Sequence, residues 1–291
     1  MGNAEGGRVT VVVATRNRVD ELQRTLRHLE KLDPRPAVVV VDNASTDGTA
    51  EAVGSAFPDV LLVRRQHNTG CVARNTGVLY ADTPYVAFCD DDSWWAPGAL
   101  ERAADALDAH PRLALVAAAV AVGEEERPDP VNQHLLRSPL PRSEDLPGPR
   151  VLGFLACAAV VRRSAFEEVG GFDSLLFFGG EEALLAQDLA AAGWELCHLR
   201  DVLVHHHPSA VRPPGVSRRS LEERNALLTV WLRRSPGTVL ARTARLAARS
   251  LRDPACRRGL AGAVARLPSA VRRRRPLPVR VERDLALLER A

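Results

Sequence analysis

The sequence predicts an α/β protein: a doubly wound, Rossmann-like mixed sheet flanked by helices, followed by a helical, Arg-rich C-terminal extension. Three observations predict it. Apolar β-branched runs alternate with stretches of helical spacing, each run ends in a cluster of polar residues, and charge is divided unevenly between the two ends of the chain. With 291 residues, 46% hydrophobic and 26% charged, there is enough apolar material for one large globular domain with an appendage.

Val9 to Ala14 is a continuous β-branched run, the pattern of a parallel strand covered on both faces. Asp20 to Leu32 carries Leu22, Leu26 and Leu29 at helical spacing, and Pro34 and Pro36 end it. Ala37 to Val41 is a second buried strand, closed by Asp42-Asn43-Ala44-Ser45-Thr46-Asp47-Gly48-Thr49, after which a helix starts near Thr49. Val60 to Val63 is a third strand. This β-α-β-α-β order is a nucleotide-binding half of a doubly wound sheet, in which ligands gather at the carboxyl ends of the strands. His67 to Gly77 leads into a helix, and the strand Tyr85 to Cys89 follows. Pro97 to Ala109 reads as a helix with Pro97 set for its first turn. Gly123 to Arg150, rich in Pro, Glu, Asp and Arg, reads as a mobile loop or lid. A strand-like segment spans Val151 to Val161, Glu181 to Gly193 is a helix, and Trp194 to Val204 is extended and ends in His205-His206-His207. Pro208 to Arg219 is a Pro/Arg-rich linker. These signals divide the chain into residues 1–211 and a basic helical extension, 212–291.

The net charge of +3 hides that division. From Arg212 onward 20 Arg stand against 6 Asp and Glu, a surplus of +14, which leaves −11 for the first 211 residues. Lys31 is the sole lysine, so a bias towards Arg explains the residue type but not its placement. Met1 to Gly7 lacks the apolar core of a signal peptide, and the apolar runs Leu113 to Val122 and Val151 to Val161 fall short of the roughly 20 residues that cross a bilayer. The expected location is cytoplasmic. The five scattered cysteines, Cys71, Cys89, Cys157, Cys197 and Cys256, form no C-x-x-C pair and read as small core residues in a reducing compartment.

Asp90, Asp91 and Asp92 end the apolar run Tyr85-Val86-Ala87-Phe88-Cys89, where a buried strand has no structural use for them. Side chains alternate along an extended chain, which predicts Asp90 and Asp92 on one side as a claw and Asp91 on the other. Clustered carboxylates at a strand end ask for a hard divalent cation, Mn²⁺ or Mg²⁺.

The order of VVVATRNR, DNASTDGT, HNTGCVARNTG, DDDSWWAPG, GGFDSLLFFGGEEALLAQDLAAAGW and a strand-end histidine resembles the family-2 glycosyltransferases of the GT-A fold, over roughly residues 8 to 208. The resemblance implies an inverting, metal-dependent transferase that moves a sugar from a UDP- or dTDP-sugar to an acceptor hydroxyl. It implies that Asp42 accepts a hydrogen bond from the imide N–H of uracil or thymine, a role that suits an acceptor-only carboxylate; an Asx-turn is the alternative for the same side chain. Thr15 and Arg16 would line the same pocket. Arg74 would approach the base or diphosphate, a surface salt bridge being its alternative. Asp90 and Asp92 would hold Mn²⁺ or Mg²⁺ on the donor diphosphate, and Asp91 would face the ribose or the core. His205 matches the family's strand-end histidine, which reaches the metal or diphosphate; His207 shares its parity and stands in reserve.

The same resemblance supplies a base. Glu182, second of the pair after Gly179-Gly180, aligns with the carboxylate that takes the proton from the acceptor hydroxyl, and Glu181 would orient the acceptor. The structural alternative is that acidic residues favour the first turn of a helix for dipole reasons, and Glu181 is also the runner-up for the base. Asp188 departs from the pattern, standing where an Arg often follows the acids, and the absence of Q-x-x-R-W argues against a processive, membrane-embedded synthase. Trp94 and Trp95 suit either a sugar subsite or the core. The implied partners are a nucleotide-sugar donor and a small-molecule, glycan or lipid-linked acceptor. The Arg-rich extension beside Trp231 suits a peripheral contact with an anionic membrane, a helical cap, or a homodimer arm, and without a recognition motif it does not suit nucleic acid. Two rivals remain. A nucleotidyltransferase normally needs a Gly-rich phosphate loop, which ATRNRVDE lacks, and a non-catalytic nucleotide-sugar binding protein has no use for both Glu181 and Glu182.

Overall fold

The computed structural model describes residues 7–209 and 215–291. Residues 1–6 of the N-terminal stretch read for a leader, and 210–214 of the Pro/Arg-rich linker, lie outside the described residues.

The first half alternates strand and helix: β1 (Val9–Thr15), α1 (Val19–Leu29), β2 (Ala37–Asp42), α2 (Thr49–Ala56), β3 (Leu61–Arg64), α3 (Ala73–Leu79) and β4 (Tyr85–Asp90). All four strands run parallel, with β1 between β2 and β4 and with β3 outside β2. Val11, Val12, Val13, Val40, Val86 and Phe88 are wholly buried because α1 and the later helix Ala99–Ala109 cover one face and α3 the other. α1 turns Leu22, Leu26 and Leu29 inward, with Asp20 and Glu21 in its first turn and Arg27 and His28 in its last, as the helix dipole favours.

After β4 come β5 (Ser93–Trp95), α4 (Ala99–Ala109), β6 (Leu113–Val122), β7 (Arg127–Pro128), α5 (Pro130–Leu136), β8 (Ala159–Arg162), α6 (Arg163–Val169), α7 (Glu181–Ala192) and β9 (Glu195–His206). The sheet order is β3-β2-β1-β4-β8-β6-β9-β5, with β7 paired to β6. β8 runs antiparallel to both β4 and β6, which makes the sheet mixed, as predicted.

Two segments differ from expectation. Residues 123–150 are not one mobile lid: β7 closes a hairpin on β6, Asp129 caps α5 by accepting from the Val131 N–H at 2.8 Å, and Asn132 pairs with the Val120 backbone in both directions. An Asp-Pro cap and first-turn proline sit inside a stretch whose polarity masks them. The run 151–161 is not one strand either, since a 3-10 turn at Ala156–Ala158 interrupts it and β8 begins only at Ala159. Its continuous apolar character comes from burial: Val151 and Phe154 belong to the same core as β8.

The extension folds as α8 (Gly215–Arg233), α9 (Pro236–Ser250), α10 (Pro254–Val264), α11 (Leu267–Arg272) and α12 (Val279–Leu288). It docks on the sheet domain at two places. Leu227, Leu228, Trp231 and Leu232 pack with Leu175, Leu176 and Leu184, and Leu277, Val281 and Leu285 pack with Leu140, Leu152 and Ala190. Trp231 is buried and donates its indole N–H to Thr243 Oγ1 at 2.9 Å, so it is a core residue of the cap, not an exposed anchor. Among the described residues no helix is long and apolar enough to cross a membrane, and all five cysteines are buried free thiols.

Candidate active site

The carboxyl ends of β1, β2 and β4 and the start of α7 bring the predicted residues to one region. β4 ends at Asp90 and the backbone turns at Asp91 and Asp92 before β5. The strict strand alternation expected of the triplet therefore fails, so strand parity does not set Asp90 and Asp92 on one side. Asp91 and Asp92 instead share one guanidinium: Arg18 NH1 lies 3.5 Å from Asp91 Oδ1 and 3.2 Å from Asp92 Oδ2. Thr15 Oγ1 donates to Asp91 Oδ2 at 2.9 Å, so the Thr15 side chain faces the aspartate turn. Burial pushes the Asp91 carboxyl up to about 7, against the pull of Arg18 and reinforced by Asp90 and Asp92. Burial also works against the Asp92 charge, but hydrogen bonds from His206 and from the Ser209 N–H at 3.0 Å, together with Arg18, hold its pKa below the ordinary range.

Asp90 belongs to a different network. Arg74, buried on α3, donates from NH2 to Asp90 Oδ1 at 2.5 Å, while its NH1 lies 3.7 Å from Glu181 Oε1. One guanidinium thus joins the aspartate turn to the acid pair. Arg74 is not the surface salt bridge of the alternative reading, and it touches carboxylates on both sides. Burial disfavours its charge, and Asp90 and Glu181 outweigh that cost and hold its pKa above the ordinary value. The next residue, Asn75, grips the Phe172 backbone through both its amide atoms, at 2.9 and 3.0 Å, and so fixes the segment that leads to the acids.

Glu181 and Glu182 occupy the first turn of α7, after Gly180 at φ +83. Glu181 is 2% exposed, and its Oε2, like Arg74 Nε, has no hydrogen-bond partner among the protein atoms. Glu182 is half-buried. Both carboxyls are raised. Burial is the main cause for each, opposed by Arg74, and the neighbouring Glu181 adds to it for Glu182, which reaches about 7. A carboxyl of that kind exchanges a proton near neutral pH, as a general base must.

On the other side of the region Asp42 is 1% exposed at the tip of β2. Its Oδ1 accepts from the Ser45 N–H at 2.8 Å, the Asx-turn of the structural alternative, and its Oδ2 lies 3.9 Å from Arg64 Nε. The Asx-turn engages Oδ1 of the two carboxylate oxygens. Asn17 and Asp47 clasp the loops after β1 and β2 together: the Thr46 N–H donates to Asn17 Oδ1 at 2.8 Å and the Val19 N–H to Asp47 Oδ2 at 3.1 Å. Arg16 is exposed on the same rim.

The strand-end histidines have different partners. β5 pairs with β9 so that Ser93 faces His206 and Trp94 faces His205. It is His206 Nε2 that lies 3.4 Å from Asp92 Oδ1. His205 Nδ1 meets Glu126 Oε1 at 3.1 Å, and its ring lies near Trp94, as does that of His207. Alternation along β9 sets His205 and His207 on the Trp94 side and His206 on the Asp92 side. Trp95 is wholly buried in the core, whereas Trp94 stacks on His28 with centroids 4.0 Å apart.

Among the described residues no three His, Cys, Asp or Glu side chains already converge as a metal cage. The donor set nevertheless fits a hard divalent cation. Asp92 and His206 offer an oxygen and an imidazole nitrogen side by side, Asp90 keeps a third of its side chain exposed, and the Arg18 guanidinium already occupies a cation's place between two carboxylates. Arg18, Asn75 and Asn43 are residues that sequence reasoning did not single out, and His206 ranked there below His205. Asn43 accepts from the Thr69 N–H at 2.8 Å and donates to Gly70 O at 3.2 Å, tying the loop before α3 to β2. Their only sequence signal was membership of the polar clusters at strand ends.

A sequence model described as Glycosyl transferase family 2 matches residues 10–170. The chain is 29% identical over 231 residues to the N-acetylglucosaminyl-diphospho-decaprenol L-rhamnosyltransferase of Mycobacterium tuberculosis, covering 68% of this chain and 75% of that protein. It is 33% identical over 272 residues to the pre-mycofactocin glycosyltransferase of the same organism, covering 82% of this chain and 55% of that protein, so it spans about half of that relative's length. Among solved structures, the mannosyltransferase PcManGT from Pyrobaculum calidifontis in complex with GDP-Man and Mn²⁺ superposes with a TM-score of 0.60 at 23% identity, covering 98% of this chain and 86% of that one. That likeness is one of fold, and the fold is GT-A.

Proposed function

The chain belongs to glycosyl transferase family 2, and we propose that this glycosyltransferase moves a sugar from a UDP- or dTDP-sugar to an acceptor hydroxyl with inversion at the anomeric carbon. The observation that carries the reading is the Arg74 bridge, because it makes the aspartate turn and the acid pair a single electrostatic unit. The donor lies with its base towards Asp42 and its diphosphate towards Asp90 and Asp92. Glu182 is the base: it takes the acceptor hydroxyl proton as the oxygen attacks the face of the sugar opposite the leaving diphosphate. Glu181, held by Arg74, orients the acceptor.

Asp92 and His206, with Asp90, would hold Mn²⁺ or Mg²⁺, which supplies charge neutralisation for the departing nucleoside diphosphate. Arg18 adds fixed positive charge at the same place. GDP is the competing nucleotide, because the solved mannosyltransferase holds GDP-Man. The acceptor class is a glycan or lipid-linked sugar, supported by the relative that acts on a diphospho-decaprenol. Exposed Leu240, Leu251 and Val271 together with exposed Arg245, Arg252 and Arg272 on α9 to α11 support a peripheral contact with an anionic membrane surface, on the cytoplasmic side where nucleotide sugars are made.

Calorimetry with UDP, dTDP and GDP, with and without Mn²⁺, tests the donor side. Asp92→Ala is expected to lose metal-enhanced binding of the preferred nucleotide. Glu182→Gln is expected to keep that binding and to lower turnover by about 10³-fold. Unchanged turnover in Glu182→Gln assigns the base elsewhere, and equal nucleotide affinity with and without Mn²⁺ removes the metal.

A further inference from the structure

Between the segment 174–178, α8 and the α10–α11 corner lies an open cleft of about 590 Å³ lined by Leu175, Phe177, Leu221, Arg224, Arg266 and Arg273. Its charge is unbalanced. Arg224 is 7% exposed, and its guanidinium donates only to neutral oxygens, Asn225 Oδ1 at 2.9 Å and the Leu176 carbonyl at 2.6 Å. Among the described residues no carboxylate pairs with it. Burial lowers its pKa, and the next cause is the like charge of Arg266. Arg266 in turn donates to the Gly262 carbonyl at 3.0 Å. Arg273 alone has an acid, Asp173 Oδ1 at 2.6 Å. Three guanidinium groups therefore face one carboxylate, and a buried cation without a counter-ion is a costly arrangement unless an anion completes it.

The opposite wall is apolar. It includes Leu175 and Phe177, and Phe177 is 38% exposed, an unusual position for a large aromatic that has a core beside it. Phe177 holds φ +66, and its carbonyl accepts from the Cys71 N–H at 2.6 Å, so the backbone is fixed in a left-handed conformation that presents the ring outward. A Cβ at Gly70 would stand 2.0 Å from that carbonyl, which is why a glycine is required there. The same segment runs directly into Glu181. Asn225, next to Arg224, donates to the Phe178 and Gly179 carbonyls at 2.8 and 2.5 Å and fixes the turn before the acids.

We propose that this cleft binds the phosphate or diphosphate group of an amphiphilic acceptor, with Arg224 and Arg266 on the anion and Phe177 and Leu175 against the adjoining apolar chain. The proposal rests on the reading of Glu181 and Glu182 as the acceptor side of the site. It gives the C-terminal extension a part in substrate recognition, since Arg224, Arg266 and Arg273 all come from it.

The test titrates the full chain with geranyl diphosphate, geraniol and inorganic pyrophosphate, without nucleotide present. Geranyl diphosphate is expected to bind, and geraniol to bind at least about tenfold more weakly for want of the charge-assisted hydrogen bonds. Arg266→Gln, a half-exposed position, is expected to weaken geranyl diphosphate about tenfold while leaving UDP affinity unchanged. Arg224→Gln should do the same, and because Arg224 is buried its thermal melt is compared first, with R266Q deciding the matter if R224Q does not fold. Equal affinity in R266Q and the unmodified chain, or equal affinity for geraniol and geranyl diphosphate, overturns the proposal. Displacement of geranyl diphosphate by phosphatidylglycerol vesicles would also overturn it, by assigning the cleft to a lipid headgroup. Failure of the Glu182 assignment would appear as full turnover in Glu182→Gln and would leave these titrations untouched.

Discussion

Glu182 and Asp91 both have carboxyls raised to about 7, chiefly by burial, and they predict different things. A base acts in its deprotonated form, so turnover should fall as pH drops through about 7 if Glu182 carries the proton. Asp91→Asn should keep that acid limb in the pH profile, whereas the residual activity of Glu182→Gln should lose it. A limb that vanishes in Asp91→Asn instead would place the titration in the aspartate turn. Both raised groups hold protons in the folded chain that they release on unfolding between the ordinary carboxylate range and about 7, so they cost stability as pH rises through that window. At this scale the gathering of Asp42 and the aspartates at one sheet edge was legible, because charged residues at the ends of apolar strands have few structural uses, whereas Arg74 and the two glutamates were singled out by the resemblance alone. Arg18 and His206 were not legible. Arg18 gains its partners from a turn at Asp91 and Asp92 and His206 from the pairing of β9 with β5, neither of which has a local periodic signal.

Between elements, the departure at Asp188 has a structural account. Asp188 on α7 makes a two-point ion pair with Arg233 on α8, through Nε to Oδ1 and through NH2 to Oδ2 at 2.9 Å. Both side chains are largely buried, at 16% and 7% exposed, so the pair locks the helix that carries Glu181 and Glu182 to the extension. Asp188→Ala should destabilise the chain by about 3 kcal/mol in urea unfolding, because it strands the Arg233 charge. Removing both partners should recover much of that loss, and additive losses would show that the two do not act as a pair. The strands β1 to β4 and the helices α1 and α7 were readable from period and punctuation. The short helix α5 and the interrupted 151–161 run were not, because a polar stretch hid a capped helix and burial gave a non-strand segment with one 3-10 turn the composition of a strand.

For the whole molecule, the surplus of +14 in the last 80 residues is partly spent on the sheet domain and within the cap. Arg233 reaches Asp188, Arg273 reaches Asp173, and Arg234 reaches Glu282 and Glu289. The arginines left exposed on α9 to α11 give a distinct expectation: co-sedimentation with phosphatidylglycerol vesicles at low salt that is lost at about 0.5 M salt, where charges are screened within a few ångströms. Binding that survives high salt, or none at low salt, argues against the membrane contact. The extension was legible as helical and basic, but not its docking, since long-range packing of Leu227 on Leu184 leaves no trace in a local window. The Arg74 bridge has one more consequence. A single cation divided between Asp90 and Glu181 cannot satisfy both fully, so whatever draws Asp90 away strengthens the hold on Glu181 and alters the proton affinity of the pair. Under the proposed assignment, a donor that occupies Asp90 lowers the proton affinity of the acid pair and readies Glu182 to take a proton, which favours an order of arrival, donor before acceptor.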